Sequence, residues 1–143
     1  MTKKTTIIKT LLLTFLLIIM CSSCFMLTAC KDEPTVYKLY QYETSSSVYE
    51  LGESFYGMKL KKDFVKLTLD EDGKAELKIS VGFIEGETEY ENTYKTYKGS
   101  YTETETEIIA TFPEFSSSAL KGTKTGNLIS IRISSYATML LKK

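Results

Sequence analysis

The chain has 143 residues, with 18 Lys and Arg balanced by 18 Asp and Glu, three Cys and no His. The balance of charge leaves no basic excess for nucleic acid, and we expect no nucleic-acid partner. The lack of His excludes Ser–His and Cys–His nucleophile pairs and His-based metal sites, so we predict no catalytic residue, no metal site and no cofactor.

The N-terminal region has the pattern of a targeting segment. Three lysines occur among the first nine residues, and no further charge follows before Lys31, so the run 10–29 can lie in hydrocarbon. This run ends in Leu27-Thr28-Ala29-Cys30, which resembles the lipobox of bacterial lipoproteins at all four positions. The resemblance implies cleavage between Ala29 and Cys30 and a diacylglyceryl group on the Cys30 thiol. It therefore implies a lipid-anchored protein on the extracytoplasmic face of the cell membrane.

An uncleaved transmembrane anchor is the main alternative, because about twenty residues span a bilayer as a helix. Both interpretations place the following domain outside the cell membrane. We favour cleavage because the uncharged run ends at a complete lipobox match. Cys24 is the weaker attachment site, since Cys21 stands at its −3 position instead of an aliphatic residue. We expect no redox or metal role for the Cys21…Cys24 pair, because it lies within the membrane segment.

Cleavage would leave 114 residues, enough for one small domain with its own core. The leader removes three lysines, so the remaining chain carries 15 basic and 18 acidic residues, a net charge of −3. We predict a signal peptide at 1–29, a tether at 30–34 and a single domain at 35–143. Since Cys30 would be acylated, no disulfide is expected in the mature protein.

The domain has the pattern of a β structure, because apolar residues alternate with polar ones between clusters of turn residues. We predict eight strands, at 35–43, 64–70, 74–83, 92–102, 106–112, 118–124, 128–133 and 137–142. The clearest hairpin has a three-residue loop at Glu71-Asp72-Gly73, with Gly73 in the left-handed conformation. Its expected cross-strand pairs are Leu69 with Ala75, Leu67 with Leu77, and Val65 with Ile79.

Three more hairpins are predicted from turn residues. A two-residue loop at Gly126-Asn127 would pair Gly122 with Ile131 and Leu120 with Ile133. A turn at Thr104-Glu105 would pair Tyr101 with Ile108, Gly99 with Ala110 and Tyr97 with Phe112. A turn near Ser134-Ser135 would bring Ala137, Met139 and Leu141 against Ile129, Ile131 and Ile133. Successive hairpins with one apolar face predict an antiparallel meander that closes into a small up-and-down barrel.

One segment between the first two strands has a helical pattern. Ser47 and Glu50 have the spacing of a capping box, and four apolar residues follow at helical intervals: Val48, Leu51, Phe55 and Met58. We predict a short helix that covers one end of the barrel as a lid.

Several segments together resemble the small lipocalin-like lipoproteins of Gram-positive bacteria. They are the opening Val36–Tyr40, the strand–Asp70-Glu71-Asp72-Gly73–strand unit, Gly99-Ser100-Tyr101 and the closing Tyr136–Lys143. The resemblance covers most of residues 35–143. It implies a lipocalin-like β-barrel domain on a membrane-anchored lipoprotein.

Two acidic ladders and ten tyrosines are the remaining sequence features. The ladders are Glu85, Glu87, Glu89 and Glu91, and Glu103, Glu105 and Glu107. We interpret them as solvated positions and Asp70–Gly73 as a turn, in preference to cation sites. The tyrosines suit a half-buried sheet or a binding face.

We expect a non-catalytic binding module for a small amphipathic ligand or envelope component. The alternative is an interaction or inhibitor protein that binds another exported protein through an outer Tyr-rich face.

Overall fold

The computed structural model describes residues 33–85 and 93–143, except for the side chains of Ile84 and Glu85. Eleven strands occur in these residues: β1 Thr35–Thr44, β2 Val48–Glu50, β3 Ser54–Phe55, β4 Met58–Lys59, β5 Val65–Leu69, β6 Lys74–Ser80, β7 Tyr94–Glu103, β8 Glu107–Thr111, β9 Leu120–Thr125, β10 Leu128–Ser134 and β11 Ala137–Lys142. A 3₁₀ turn, Lys62–Phe64, precedes β5, and a short helix, α1 (Val81–Glu85), follows β6.

Eight of these strands form a closed antiparallel barrel. The order is β11-β10-β9-β8-β7-β6-β5-β1, and β1 also pairs with β11, which closes the sheet. Strand β2 adds to β1 beyond the pairing of β1 with β5. The predicted eight-stranded up-and-down barrel is confirmed, and the predicted strand limits agree with the structure to within three residues. The sequence did not tell us whether the first and last strands pair, and the structure shows that they do.

The β5–β6 hairpin has the predicted register. Leu67 pairs with Leu77, and the two flanking pairs also form as expected. Gly73 has φ +74°, and the backbone N–H of Asp70 donates to the Lys74 carbonyl at 2.9 Å. The β9–β10 turn is likewise confirmed, because Gly126 has φ +60° and Gly122 pairs with Ile131. That ladder ends there, so the predicted pair of Leu120 with Ile133 does not form.

The β7–β8 hairpin differs from the prediction by two residues. Tyr101 pairs with Ala110 instead of Ile108. The turn lies one residue later than predicted, at Glu105-Thr106, because the backbone N–H of Thr104 donates to the Glu107 carbonyl at 2.9 Å. Thr104 Oγ1 also accepts hydrogen bonds from the backbone N–H groups of Thr106 and Glu107, and neither predicted turn residue favours positive φ. An even shift keeps each side chain on its predicted face, so the core is unchanged.

The β10–β11 hairpin largely follows the prediction. Met139 pairs with Ile131 and Leu141 with Ile129. A bulge after Arg132 then sets Ala137 opposite Ser134, so Ile133 has no direct partner on β11. The bulge absorbs one extra residue, which the turn residues did not indicate.

The predicted helix between the first two strands is wrong. Residues 48–58 form β2 and a small hairpin of β3 with β4. Gly52, Tyr56 and Gly57 have φ of +92°, +48° and +83°, and such left-handed residues end a right-handed helix. The short helix α1 instead directly follows β6, in a run that was predicted to continue the strand.

The barrel has two different ends. At one, which we call the turn end, lie the β5–β6, β7–β8 and β9–β10 turns and the start of β1. At the other, the cap end, lie α1 and the segment Val48–Phe64, which we call the cap. Between them the interior is tightly packed, and at Gly122 an added Cβ would lie within 2.9 Å of Ile108 and Ile129. Residues Glu33–Lys143 form one compact unit.

Candidate functional site

The predicted lid residues divide between the core and the surface. Phe55 and Met58 are buried, with 6% and 3% of their surface exposed. Val48 and Leu51 are 53% and 42% exposed, because an extended segment points successive side chains to opposite sides. Two of the four predicted lid residues, Phe55 and Met58, therefore pack into the core, and the other two face solvent.

Phe55 is the centre of an aromatic cluster at the cap end. Its ring centroid lies 4.7 Å from Tyr42, 5.0 Å from Tyr49, 4.7 Å from Tyr56 and 5.6 Å from Phe83. The first three contacts are edge-to-face, the geometry that aromatic quadrupoles favour. Burial raises the pKa of the Tyr42 phenol, and the neighbouring Tyr56 and Tyr49 add to the shift. The cap is therefore joined to α1 by ring contacts, and to β1 both by ring contacts and by the pairing of β2 with β1.

The barrel interior is filled with side chains. Five residues of the predicted hairpins fill it, and each is at most 3% exposed: Leu67, Leu77, Ile79, Ile131 and Met139. Phe64, Phe112 and Ile129 fill the interior further and are at most 1% exposed. Two grooves in the described residues instead open on the outside of the sheet, and their lining includes Lys66 and Glu76 in one and Lys38 and Lys142 in the other.

The tyrosines do not form a single outer face. Tyr37 is buried, while Tyr42, Tyr97 and Tyr101 are partly buried against the core. The large exposed tyrosines of the described residues are Tyr40, Tyr56 and Tyr136, at 42%, 73% and 72%. Packing within and at the ends of the barrel therefore accounts for much of the tyrosine content.

The turn end is held by polar contacts. The Tyr101 hydroxyl donates to the Asp70 carbonyl at 2.9 Å, and burial raises the pKa of that phenol, with the charge of Glu103 adding to the effect. Lys124 Nζ lies 2.7 Å from Glu103 Oε2 and 3.1 Å from the Thr104 carbonyl. The hydrogen bond to Glu103 raises the pKa of Lys124. Glu103 of the second acidic ladder is thus the partner of a lysine.

In the part of the chain that the structure describes, no group of three or more carboxylate or thiol side chains is placed to bind a metal ion. Asp70–Gly73 forms the predicted turn. Most of the first acidic ladder, Glu87–Glu91, lies outside the described residues, as do Ala29, Cys30 and the whole predicted leader. Within residues 33–85 and 93–143, no helix is long and apolar enough to cross a bilayer.

A row of outer lysines was missed by the sequence analysis. Lys142, Lys38, Lys66 and Lys78 lie directly opposite one another on β11, β1, β5 and β6. Each occupies a polar position of an alternating strand, which is unremarkable by itself. The only sequence signal is their common register, and it becomes visible once the β1–β5 and β1–β11 pairings are known.

Comparison with known proteins gives no relative: no family model, no curated protein and no solved structure matches the chain. The fold is an all-β, eight-stranded antiparallel barrel that is consistent with a lipocalin-like architecture.

Proposed function

We propose that the protein is a lipid-anchored lipoprotein of the cell envelope, a non-catalytic binding module that acts through the outside of its barrel. We place the binding site on the outer surface because the interior is occupied by the chain's own side chains: Leu67, Leu77 and Ile79 are no more than 2% exposed. Ligand-binding barrels need an interior volume of several hundred cubic ångströms. The outer surface offers grooves of about 440 and 300 Å³.

The anchor part of the proposal rests on the lipobox at Leu27–Cys30. Four residues separate Cys30 from Thr35, the first residue of β1, and an extended chain covers about 17 Å over the five steps from Cys30 to Thr35. The anchor would thus hold the turn end, where β1 starts, close to the lipid headgroups.

The anchor is tested by the intact mass of protein extracted from membranes. We expect a mature N-terminus at Cys30 with a diacylglyceryl adduct. Replacing Cys30 with Ser should leave an unprocessed precursor, whereas the same change at Cys24 should leave processing intact. A full-length product that retains residues 1–29 would contradict the proposal.

The binding part is tested by affinity capture with the full-length protein from native membranes, followed by identification of both proteins and lipids. We expect capture of an envelope component that is lost on charge or size changes of exposed residues such as Tyr136, and retained by variants of the buried cap. If apolar probes bind inside the barrel and no envelope component is retained, the site is internal.

A cup under the cap is a second candidate site, and the Phe55 cluster favours it. Rings from β1, α1 and the cap meet there. The β3–β4 hairpin of the cap forms a sheet of its own, so it can separate from the barrel without breaking the eight-stranded sheet. An opened cap would present an aromatic surface suited to a small amphipathic ligand. A Phe55→Ala, Met58→Ala variant that stays folded and loses uptake of an apolar dye would support this site.

A further inference from the structure

The lysine row is an unusual arrangement for a surface with no excess of positive charge. Along each of the four strands, the neighbours Leu39, Leu67, Leu77 and Leu141 are buried, so the lysines between them point outward. Adjacent strands are about 4.8 Å apart, and the row extends about 14 Å. Like charges directly opposite each other on a sheet are destabilising. A partner of opposite charge would remove that repulsion.

Two of these lysines also line an apolar groove. Lys38 and Lys142 border it together with Lys62 and Lys143, and its volume is about 300 Å³. Tyr40 and Leu51, each 42% exposed, form its apolar part. Lys142 Nζ lies 5.2 Å from the centroid of the Tyr40 ring. We call the surface formed by Lys38, Lys62, Lys66, Lys142, Lys143, Tyr40 and Leu51 the basic patch.

Carboxylates only partly neutralise the basic patch. Asp63 Oδ1 lies 3.1 Å from Lys38 Nζ, with both side chains exposed, and an exposed pair of this kind contributes little. Glu50 borders Tyr40 and Leu51 in an adjoining groove. Asp70 and Glu76 border Lys66 in the other groove. Five lysines thus face four carboxylates, a local excess of positive charge, although residues 30–143 carry a net charge of −3.

We propose that the basic patch docks the barrel on an anionic lipid bilayer, with its lysines at the headgroup phosphates and with Tyr40 and Leu51 in the interfacial layer. The exposed apolar residues favour a bilayer over a soluble polyanion, because tyrosine and lysine stems are stabilised at the boundary of lipid and water. Clusters of four to eight lysines beside a membrane anchor bind anionic lipids in this way.

The location of the basic patch fits the proposed anchor, on which the biological meaning of this inference depends. Val36, near the start of β1, lines the same groove, so the basic patch begins close to the point where the chain enters the barrel. The lipid group would retain the protein at the membrane, and the basic patch would fix which side faces it. The opposite side of the barrel, around β7 and β8, would then face away from the bilayer and meet other proteins.

The test is flotation of the chain from Cys30 onward, made without lipid, on vesicles of phosphatidylcholine alone or with phosphatidylglycerol. Residues Glu33–Lys143 form the compact unit that folds in this chain. We expect binding to the anionic vesicles that weakens with salt. A double variant, Lys66→Gln with Lys142→Gln, should reduce the partition coefficient about thirtyfold, or about fivefold per lysine. Lys98→Gln with Lys121→Gln removes two exposed lysines on β7 and β9 and is the matched control.

The outcomes separate this inference from the proposed function. Equal binding to neutral and anionic vesicles, equal losses in the two double variants, or binding to inorganic polyphosphate without binding to vesicles would each overturn the docking surface. None of these results bears on acylation of Cys30, which the mass measurement decides. Thermal unfolding checks the fold, and the Lys66, Lys142 variant should be no less stable than the natural chain, since it relieves like-charge repulsion.

Discussion

The two ends of the barrel are closed by different physical means. At the turn end, short loops are held by hydrogen bonds and an ion pair, among them Tyr101 with Asp70 and Lys124 with Glu103. At the cap end, a longer segment is held by apolar rings around Phe55. Ring packing depends on buried area and responds little to salt, or to pH below the range in which tyrosine ionises, whereas the polar contacts respond to both. We therefore expect the contacts at the cap end to contribute more to the free energy of unfolding than those at the turn end. The contacts at the turn end should account for more of its dependence on pH and salt.

The packed middle of the barrel sets the scale for this comparison. We expect Leu67→Ala and Leu77→Ala each to lower the free energy of unfolding by about 2–5 kcal/mol, because both side chains are about 1% exposed and pair directly. The double variant should deviate from the sum, since the two residues share one cavity. Urea unfolding measures all three. Ile109→Ala, on the outer face of β8, should cost about 0.5 kcal/mol or less, and a Leu67 loss equally small would contradict the register.

Phe55→Ala tests the cap end. Loss of a ring that contacts four others should cost about 3 kcal/mol, measured by urea unfolding. Tyr136→Ala is the control, because Tyr136 is 72% exposed and lies outside the Phe55 cluster. A cost below about 1 kcal/mol, accompanied by uptake of an apolar dye, would mean that the cap is a loosely held lid and would reverse our ranking of the two ends.

Tyr101→Phe tests the turn end. The change keeps the ring against the core but removes the hydrogen bond to the Asp70 carbonyl. One such bond contributes about 0.5–1.5 kcal/mol, so the loss should be well below that of Phe55→Ala. Tyr136→Phe, at a 72% exposed position, should leave the unfolding midpoint unchanged. Equal effects at Tyr101 and Tyr136 would mean that the hydrogen bond adds nothing.

Alkaline pH should also weaken the turn end, and we expect it to lower the free energy of unfolding by less than the Tyr101→Phe change does. The pKa values of Lys124 and Tyr101 are raised in the folded protein, the first by its hydrogen bond to Glu103 and the second by burial. Their stabilisation is complete below the unfolded values, near pH 10, and is lost as pH rises through the folded values. Unfolding at pH 8 and pH 11 should show this decline. The decline should be smaller in a Tyr101→Phe, Lys124→Gln variant, although Tyr42 contributes in the same direction. An unchanged decline would place its origin outside the turn end.

The turn end was largely predictable from sequence because its turns are specified locally. Gly73 and Gly126 occupy left-handed positions that few other residues adopt, and the loop length then fixes the register of each hairpin. The β7–β8 turn lacks such a residue, and there the predicted register was wrong by two. Local chemistry therefore determined the accuracy of each hairpin prediction.

The cap and the basic patch could not be predicted in the same way. The apolar spacing of residues 48–58 fits a helix, but Phe55 and Met58 reach the core from a hairpin whose shape depends on contacts with β1 and α1. On β1, the register shifts between Leu39 and Gln41, so Tyr40 faces outward while both Leu39 and Tyr42 pack toward the core. A bulge changes the two-residue alternation, and nothing in the local sequence marks it. The alignment of Lys38 with Lys142 depends on that same pairing.

The pairing of β1 with β11 also affects how an exported chain would mature. Lys38 pairs with Lys142 across about a hundred residues, so the sheet cannot close until its last strand is available. Local hairpins such as β5–β6 can form earlier, while closure waits for the most distant contact. A chain truncated before β11 would leave the edges of β1 and β10 unpaired, and such edges invite aggregation and proteolysis. Closure of the barrel thus distinguishes complete chains from truncated ones.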